Sequence, residues 1–206
     1  MNFLKQLSGT LRYSMVLIVM LIFCNTLSAQ EKGTITDPRD GRIYQWVKVG
    51  KKAWFAENLK YNVKPGSWFY NNDTANAVVY GRLYTWNAAM TACPKGWVLP
   101  ADANWALLIE KLGGLDVSGG KFQEMDSVYW KANKNIPETA KTLSSLLGGV
   151  RHSDSTYTGV ALWGGLWSAT VENEVATNYL FAKGDKSIVK SSNDKNSAFG
   201  VRCVKK

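Results

Sequence analysis

The residue pattern predicts a loop-rich α+β fold. Three observations carry it. A period-two run between residues 43 and 56 is broken by a turn at Gly50. Apolar residues recur at helical spacing between residues 83 and 112. Short, glycine-punctuated, β-prone runs then fill the chain from residue 159 to its end.

Taken in order, residues 1–29 read as a secretory signal peptide. Lys5 and Arg12 give a basic start with no acidic residue, and Met15 to Phe23 is an apolar core of nine residues. That run is shorter than the roughly 20 residues a membrane-spanning helix needs, and no later segment is long and apolar enough to be a span. Asn25, Thr26, Ser28 and Ala29 turn small and polar. We take cleavage after Ala29, which makes the mature chain secreted, periplasmic or cell-surface. The alternative is a lipoprotein cut before Cys24, against which the bulky Phe23 stands.

Residues 30–35 are polar and read as an irregular lead-in to a domain over 36–206. Beyond Asp40-Gly41, Ile43, Gln45, Val47 and Val49 share one face of a strand and Tyr44, Trp46 and Lys48 the other. Gly50-Lys51-Lys52 turns the chain and Ala53 to Ala56 returns it, a hairpin by period and turn residue. A loop over 61–76 holds Pro65-Gly66 and Asn71-Asn72-Asp73. Leu83, Trp86, Ala89 and Met90 predict a helix over 80–92, ended by Cys93-Pro94-Lys95-Gly96. A clearer helix follows Pro100, with Asp102 as its cap, Trp105, Leu108, Ile109 and Leu112 on one face, and Gly113-Gly114 at its stop. From 115 to 148 the signals weaken: Phe122, Val128 and Trp130 read as irregular, and 139–147 as a short helix. Strands are expected over 159–162, 166–170, 179–182 and 198–204, pairing near the N-terminus and so bringing the chain ends together.

The formal charge is +9; export would remove Lys5 and Arg12 and leave +7 on 177 residues, the length of one domain. The lysines are dispersed, which reads as a solvated surface. Nucleic acid is not an expected partner of an exported chain, whereas an acidic polysaccharide or anionic cell surface stays open. All nine tryptophans lie beyond the signal. Core packing is their default, and stacking on sugar rings the alternative. Cys24 leaves with the signal, so Cys93 and Cys203 remain, and two thiols in an oxidising compartment suggest one disulfide. Two free buried thiols are the competing reading.

Several phrases then resemble the Fibrobacter succinogenes major paralogous domain family. They are Trp54-Phe55-Ala56-Glu57-Asn58-Leu59, Tyr80-Gly81-Arg82-Leu83-Tyr84-Thr85-Trp86 and Cys93-Pro94-Lys95-Gly96-Trp97-Val98-Leu99-Pro100 with Trp105. Later come Gly148-Gly149-Val150-Arg151, Leu166-Trp167-Ser168-Ala169-Thr170 and Phe199-Gly200-Val201-Arg202-Cys203-Val204. The resemblance implies an exported bacterial domain with no established activity. It also implies an irregular C-type-lectin-like fold shared with sulfatase-modifying enzymes, built from two helices and a twisted antiparallel sheet. A disulfide commonly ties the first helix of that fold to its last strand, which fits Cys93 with Cys203. Ala101 and Asn104 depart from the family's capping serine and glutamate, so the cap falls to Asp102.

No catalytic residue is assigned. A sulfatase-modifying-type oxidase needs cysteines free to hold copper, and both here read as bridged. His152-Ser153-Asp154-Ser155 are neighbours in sequence, which is not the spatial relay of a triad. One histidine beside two bridged cysteines makes no conventional zinc site, and the Glu-Pro-Asn, Gln-Pro-Asp and Trp-Asn-Asp signatures of calcium-dependent lectins do not occur. Asn71, Asn72 and Asp73 would suit calcium or a tight turn; we read a turn. No cofactor or metal is expected. Trp68 and Trp163, each near glycine in loop-like sequence, and Tyr157 on a polar loop are the candidate ligand contacts, while Trp167 reads as core. The expectation is a non-catalytic surface or extracellular binding module for a glycan or another surface protein. The alternatives are a sulfatase-modifying-type enzyme or a structural envelope component.

Overall fold

The structure, a computed structural model, describes residues 31–132 and 145–206. The signal peptide, the Cys24 alternative and positions 139–144 of the expected short helix lie outside the described residues. In chain order the strands are β1 (Lys32–Thr36), β2 (Ile43–Val49), β3 (Lys52–Phe55), β4 (Ser67–Trp68), β5 (Leu83–Thr85), β6 (Trp97–Val98), β7 (Val150–Arg151), β8 (Tyr157–Thr158), β9 (Trp163–Glu172), β10 (Val175–Ala182), β11 (Val189–Asn193), β12 (Ala198–Phe199) and β13 (Val204–Lys205). The helices are α1 (Asn76–Tyr80), α2 (Trp86–Ala92), α3 (Asp102–Lys111) and α4 (Leu115–Ala132). The strands form three antiparallel sheets, ordered β1-β2-β3-β13-β6, β11-β10-β9 and β4-β5-β12-β7-β8. The α+β class is therefore borne out.

The predicted hairpin is β2 and β3, with Trp46 opposite Phe55 and Val49 opposite Lys52. Of the lead-in expected over 30–35 as irregular, residues 32–35 belong to β1 instead: Lys32 pairs with Val47 and Ile35 with Tyr44. The polarity that suggested a lead-in is that of an edge strand, where charged residues discourage further pairing.

Alternation along β3 divides the interior in two, because successive side chains leave a strand on opposite faces. Phe55 enters a cluster with Tyr44, Tyr84, Trp97, Trp167, Phe199 and Cys203. Trp54 enters a second with Trp105, Leu108, Phe122, Tyr179 and Phe181. Both are largely aromatic. Phe55 lies between Tyr44 and Trp97, with ring centroids 4.8 and 4.6 Å away, and Trp105 stacks on Tyr179 at 4.5 Å. Such pairs contribute about 0.5–1.5 kcal/mol each beyond the area they bury.

The helix expected over 80–92 is interrupted. α1 ends at Tyr80, residues 83–85 form β5 between β4 and β12, and α2 begins at Trp86. Gly81 forces the break: its φ of 72° is left-handed, and a Cβ there would lie 2.7 Å from the Leu59 carbonyl oxygen. Thr85 then caps α2 by accepting from Ala88 N at 3.4 Å.

α3 matches its prediction, and Trp105, Leu108 and Ile109 are buried. Its cap does not: Asp102 is the first helical residue and Ala101 the N-cap, whose amide donates to Asn104 Oδ1 at 3.0 Å. The Asp102 carboxylate instead accepts from Ser168 Oγ at 2.6 Å and pairs with Lys190 Nζ at 2.7 Å.

Beyond α3 the chain corrects the expectations most. Residues 115–132, read as irregular, are the 18-residue helix α4. Of the short helix expected over 139–147, the described residues 145–147 form one 3₁₀ turn. Residues 159–162 turn rather than extend: Ala161 has φ 64°, and Trp163 N donates to the Gly159 carbonyl at 2.8 Å. The strands expected over 166–170 and 179–182 lie within β9 and β10, joined through Asn173 and Glu174 at φ 48° and 69°. That pair of left-handed residues is what a two-residue hairpin turn requires. The segment 198–204 splits between sheets, β12 pairing with β5 and β7 and β13 with β3 and β6. The opposition of Val204 and Trp54 brings the C-terminal strand onto the N-terminal hairpin, as expected. Cys93, at the end of α2, is bridged to Cys203 beside β13, with Cα atoms 5.9 Å apart. No helix among the described residues is long and apolar enough to cross a membrane.

Candidate functional site

Pairing of Ser67 with Tyr84 and of Trp68 with Leu83 pins the short strand β4 to β5. After Tyr70 the chain reverses through Asn71 and Asn72, both left-handed at φ 52° and 57°, a conformation asparagine tolerates well. Asp73 Oδ1 accepts from Ala75 N at 2.8 Å, and Asn76 Nδ2 donates to the Tyr70 carbonyl at 3.1 Å. Those bonds account for the Asn71-Asn72-Asp73 run as turn chemistry. Among the described residues, no three His, Cys, Asp or Glu side chains gather to hold a metal.

β4 and this turn wall a cleft of about 290 Å³, whose lining includes Lys64, Ser67, Trp68, Phe69, Asn72 and Arg82. That volume is at the low end of the roughly 300–1,000 Å³ of small-molecule sites. Arg82 is the buried cation of this lining, 8% exposed. Its Nε donates to Ser67 Oγ and its Nη2 to the Ser67 carbonyl, both at 3.0 Å, and its guanidinium lies 4.0 Å from the centre of the Phe69 ring. Burial pulls its pKa below the usual arginine value. Ser67 is itself fixed, accepting from Val63 N and donating to the Val63 carbonyl.

A second cation flanks the cleft. The Arg151 guanidinium, on β7, covers the Trp68 ring at 4.0 Å and donates to Ser155 Oγ at 2.6 Å. Tyr157 packs edge-on to Tyr70 at 5.3 Å, and its hydroxyl donates to Asn72 Oδ1 at 3.3 Å. Two of the three predicted contacts, Trp68 and Tyr157, thus meet around Arg151 and Asn72. Trp163 does not line the cleft; it packs on the main core, pairs with Ala182 and lies against Gly159. Nor is Trp68 a bare platform, since Arg151 occupies one face. Sequence reasoning missed Arg82, Arg151 and Phe69 as a group. The two arginines stand in phrases used for recognition, but nothing in their spacing tells which ring each guanidinium covers.

The polar loop at 152–158 bonds to itself. His152 Nε2 lies 2.7 Å from Thr158 Oγ1, and Asp154 Oδ1 accepts from Thr156 N and Oγ1. Those Thr156 bonds hold the Asp154 carboxyl below its usual pKa. Trp167 is fully buried, its Nε1 donating to the Tyr84 carbonyl at 2.7 Å, as a core residue should.

Three of the phrases that carry the resemblance converge on a buried junction next to the cleft. Asn58 Nδ2 donates to the Tyr80 carbonyl at 3.1 Å, and its Oδ1 accepts from Arg202 Nε and Nη2 at 3.3 and 3.1 Å. Leu59 N donates to the Val201 carbonyl, and Arg82 N to the Leu59 carbonyl. Those contacts join three distant phrases in one hydrogen-bonded unit.

A family model described as the Fibrobacter succinogenes major domain matches residues 47–205. No curated protein and no solved structure matches the chain.

Proposed function

The chain belongs to the Fibrobacter succinogenes major domain family, and on that premise we propose that it is an exported, non-catalytic binding module of the bacterial cell surface or extracellular space that takes a glycan. The observation that supports this reading most is the cleft, where Trp68, Phe69 and Asn72 stand beside Lys64 and Arg82 around the paired strands β4 and β5. A few placed polar groups among aromatic walls is the usual make-up of a small-ligand site. Commitment of Cys93 and Cys203 to one bridge argues against a copper-dependent oxidase of the sulfatase-modifying type. The bond from His152 to Thr158, with Asp154 turned toward Thr156, argues against a hydrolytic relay.

The test is a glycan array probed with the wild-type domain and with Trp68→Ala and Trp163→Ala variants, their folds checked by circular dichroism. At least one glycan class binds the wild type. Trp68→Ala weakens that binding tenfold or more, and Trp163→Ala leaves it within about twofold. Absence of any glycan binding, or equal loss in both variants, overturns the reading.

A further inference from the structure

We propose that the cleft between β4 and the Asn71–Asn72 turn is a receptor for an acidic sugar, in which Arg82 takes the carboxylate of a uronic acid residue. This rests on the glycan reading above and specifies its ligand class.

The argument starts from the state of Arg82. An arginine keeps its charge in a protein, and its guanidinium has five N–H donors in a planar fork. Burying such a charge is costly unless it is paired and hydrogen-bonded. Arg82 is more than nine-tenths buried, yet its hydrogen-bond partners are two neutral oxygens of Ser67, and its cation rests on the Phe69 ring. Among the described residues no carboxylate pairs with it, and no hydrogen bond engages its Nη1. The buried charge is thus held on the wall of an open cleft with part of its fork unused. A carboxylate is the group that matches such a fork in shape and charge.

The rest of the lining agrees in sign. Lys64 is exposed on the same cleft, and no aspartate or glutamate lines it. The adjacent acid, Asp73, is turned to the backbone of Ala75. Arg151, over Trp68, adds a further positive charge beside the site. Hydroxyl recognition is available too. Asn72 Oδ1 accepts from Tyr157, and among the described residues no hydrogen bond engages its Nδ2, which is left to donate to a sugar oxygen. The volume suits a single ring rather than a long groove of subsites.

The experiment compares a trigalacturonate with its methyl ester and with acetate, by calorimetry and by chemical-shift mapping on isotope-labelled wild-type domain. The ester keeps the ring and removes the charge. The acid form binds with shifts at Arg82, Ser67 and Asn72, the ester binds at least tenfold more weakly, and raising the salt weakens the acid form. Lys64→Gln, on an exposed side chain, weakens the acid form about two- to fivefold. Arg82→Gln abolishes discrimination between acid and ester; should that variant not fold, the wild-type comparison and Lys64→Gln still decide. Equal binding of acid and ester overturns the acidic-sugar assignment and leaves the glycan reading standing. Acetate as strong as the trisaccharide overturns both, since the sugar then contributes nothing. No binding of any probe overturns the acidic-sugar assignment, and the glycan array then decides the broader reading.

Discussion

Asp37 is fully buried next to the N-terminal hairpin, and Arg39 keeps it charged there. Burial alone would raise its pKa. The side-chain hydrogen bonds from Arg39, the Arg39 amide and the guanidinium charge together outweigh burial and hold the carboxyl below its usual value. A folded-state pKa below the unfolded one means stability that is present above roughly pH 4, the unfolded aspartate value, and lost as pH falls through the folded value. Arg39 also donates to the Ala92 carbonyl at 2.7 Å and covers the Tyr61 ring. Arg39→Met should therefore destabilise the domain at pH 7 by up to about 3 kcal/mol, the lower end for breaking a buried pair, because Arg39 is itself partly exposed. The gap between variant and wild type in urea melts should narrow from pH 7 to pH 3, and a constant gap would remove the pairing explanation. At this scale the cysteine pair was legible, since Cys93 and Cys203 are the two cysteines beyond the expected signal segment. The chemistry around Arg82 was not, because a guanidinium's neighbours depend on which strands meet.

Among the elements, α4 shows why a helix can be invisible in its own residues. Gly119-Gly120 sits inside it, and glycine costs about 1 kcal/mol against alanine in a helix interior. Leu115 and Val117 are exposed, which blurs the apolar stripe. Tertiary contact explains Gly119: a Cβ there would lie 2.1 Å from the Ser187 carbonyl oxygen, while at Gly120 it would meet the flexible Lys186 side chain at 3.2 Å. Opposite outcomes are expected from two adjacent substitutions. Gly119→Ala should destabilise by roughly 1–3 kcal/mol, as overpacking does, despite better helix propensity. Gly120→Ala should be neutral or stabilising by up to about 1 kcal/mol. Thermal melts of both check this, and equal effects would mean the close approach of residues 186–187 does not constrain the helix. The hairpin and α3 were readable because their periods and turn residues agree. The broken helix at 80–92 was not, because Leu83 and Trp86 keep helical spacing while Leu83 serves a strand.

For the whole domain, the bridge between Cys93 and Cys203, 110 residues apart in sequence, ties α2 to the final strand. Removing a native disulfide from a small secreted domain costs about 2–5 kcal/mol. Cys93→Ala/Cys203→Ala should lower the denaturant midpoint accordingly, and reductant should shift the wild type but not the double variant. A reductant-insensitive wild type would contradict the bridge. The amino-acid sequence by itself determined the α+β class, the family, the disulfide partners and the N-terminal hairpin, because period, turn residues and a cysteine pair are local or countable. Tertiary structure decided that residues 32–36 form an edge strand, that 198–204 divides between two sheets, and that Trp68 shares a cleft with Arg82, with Tyr157 bonded to Asn72 of its lining, while Trp163 lies elsewhere. Those outcomes depend on non-local pairing: the value of a buried charge or an aromatic face is set by residues far along the chain, and no single segment encodes it.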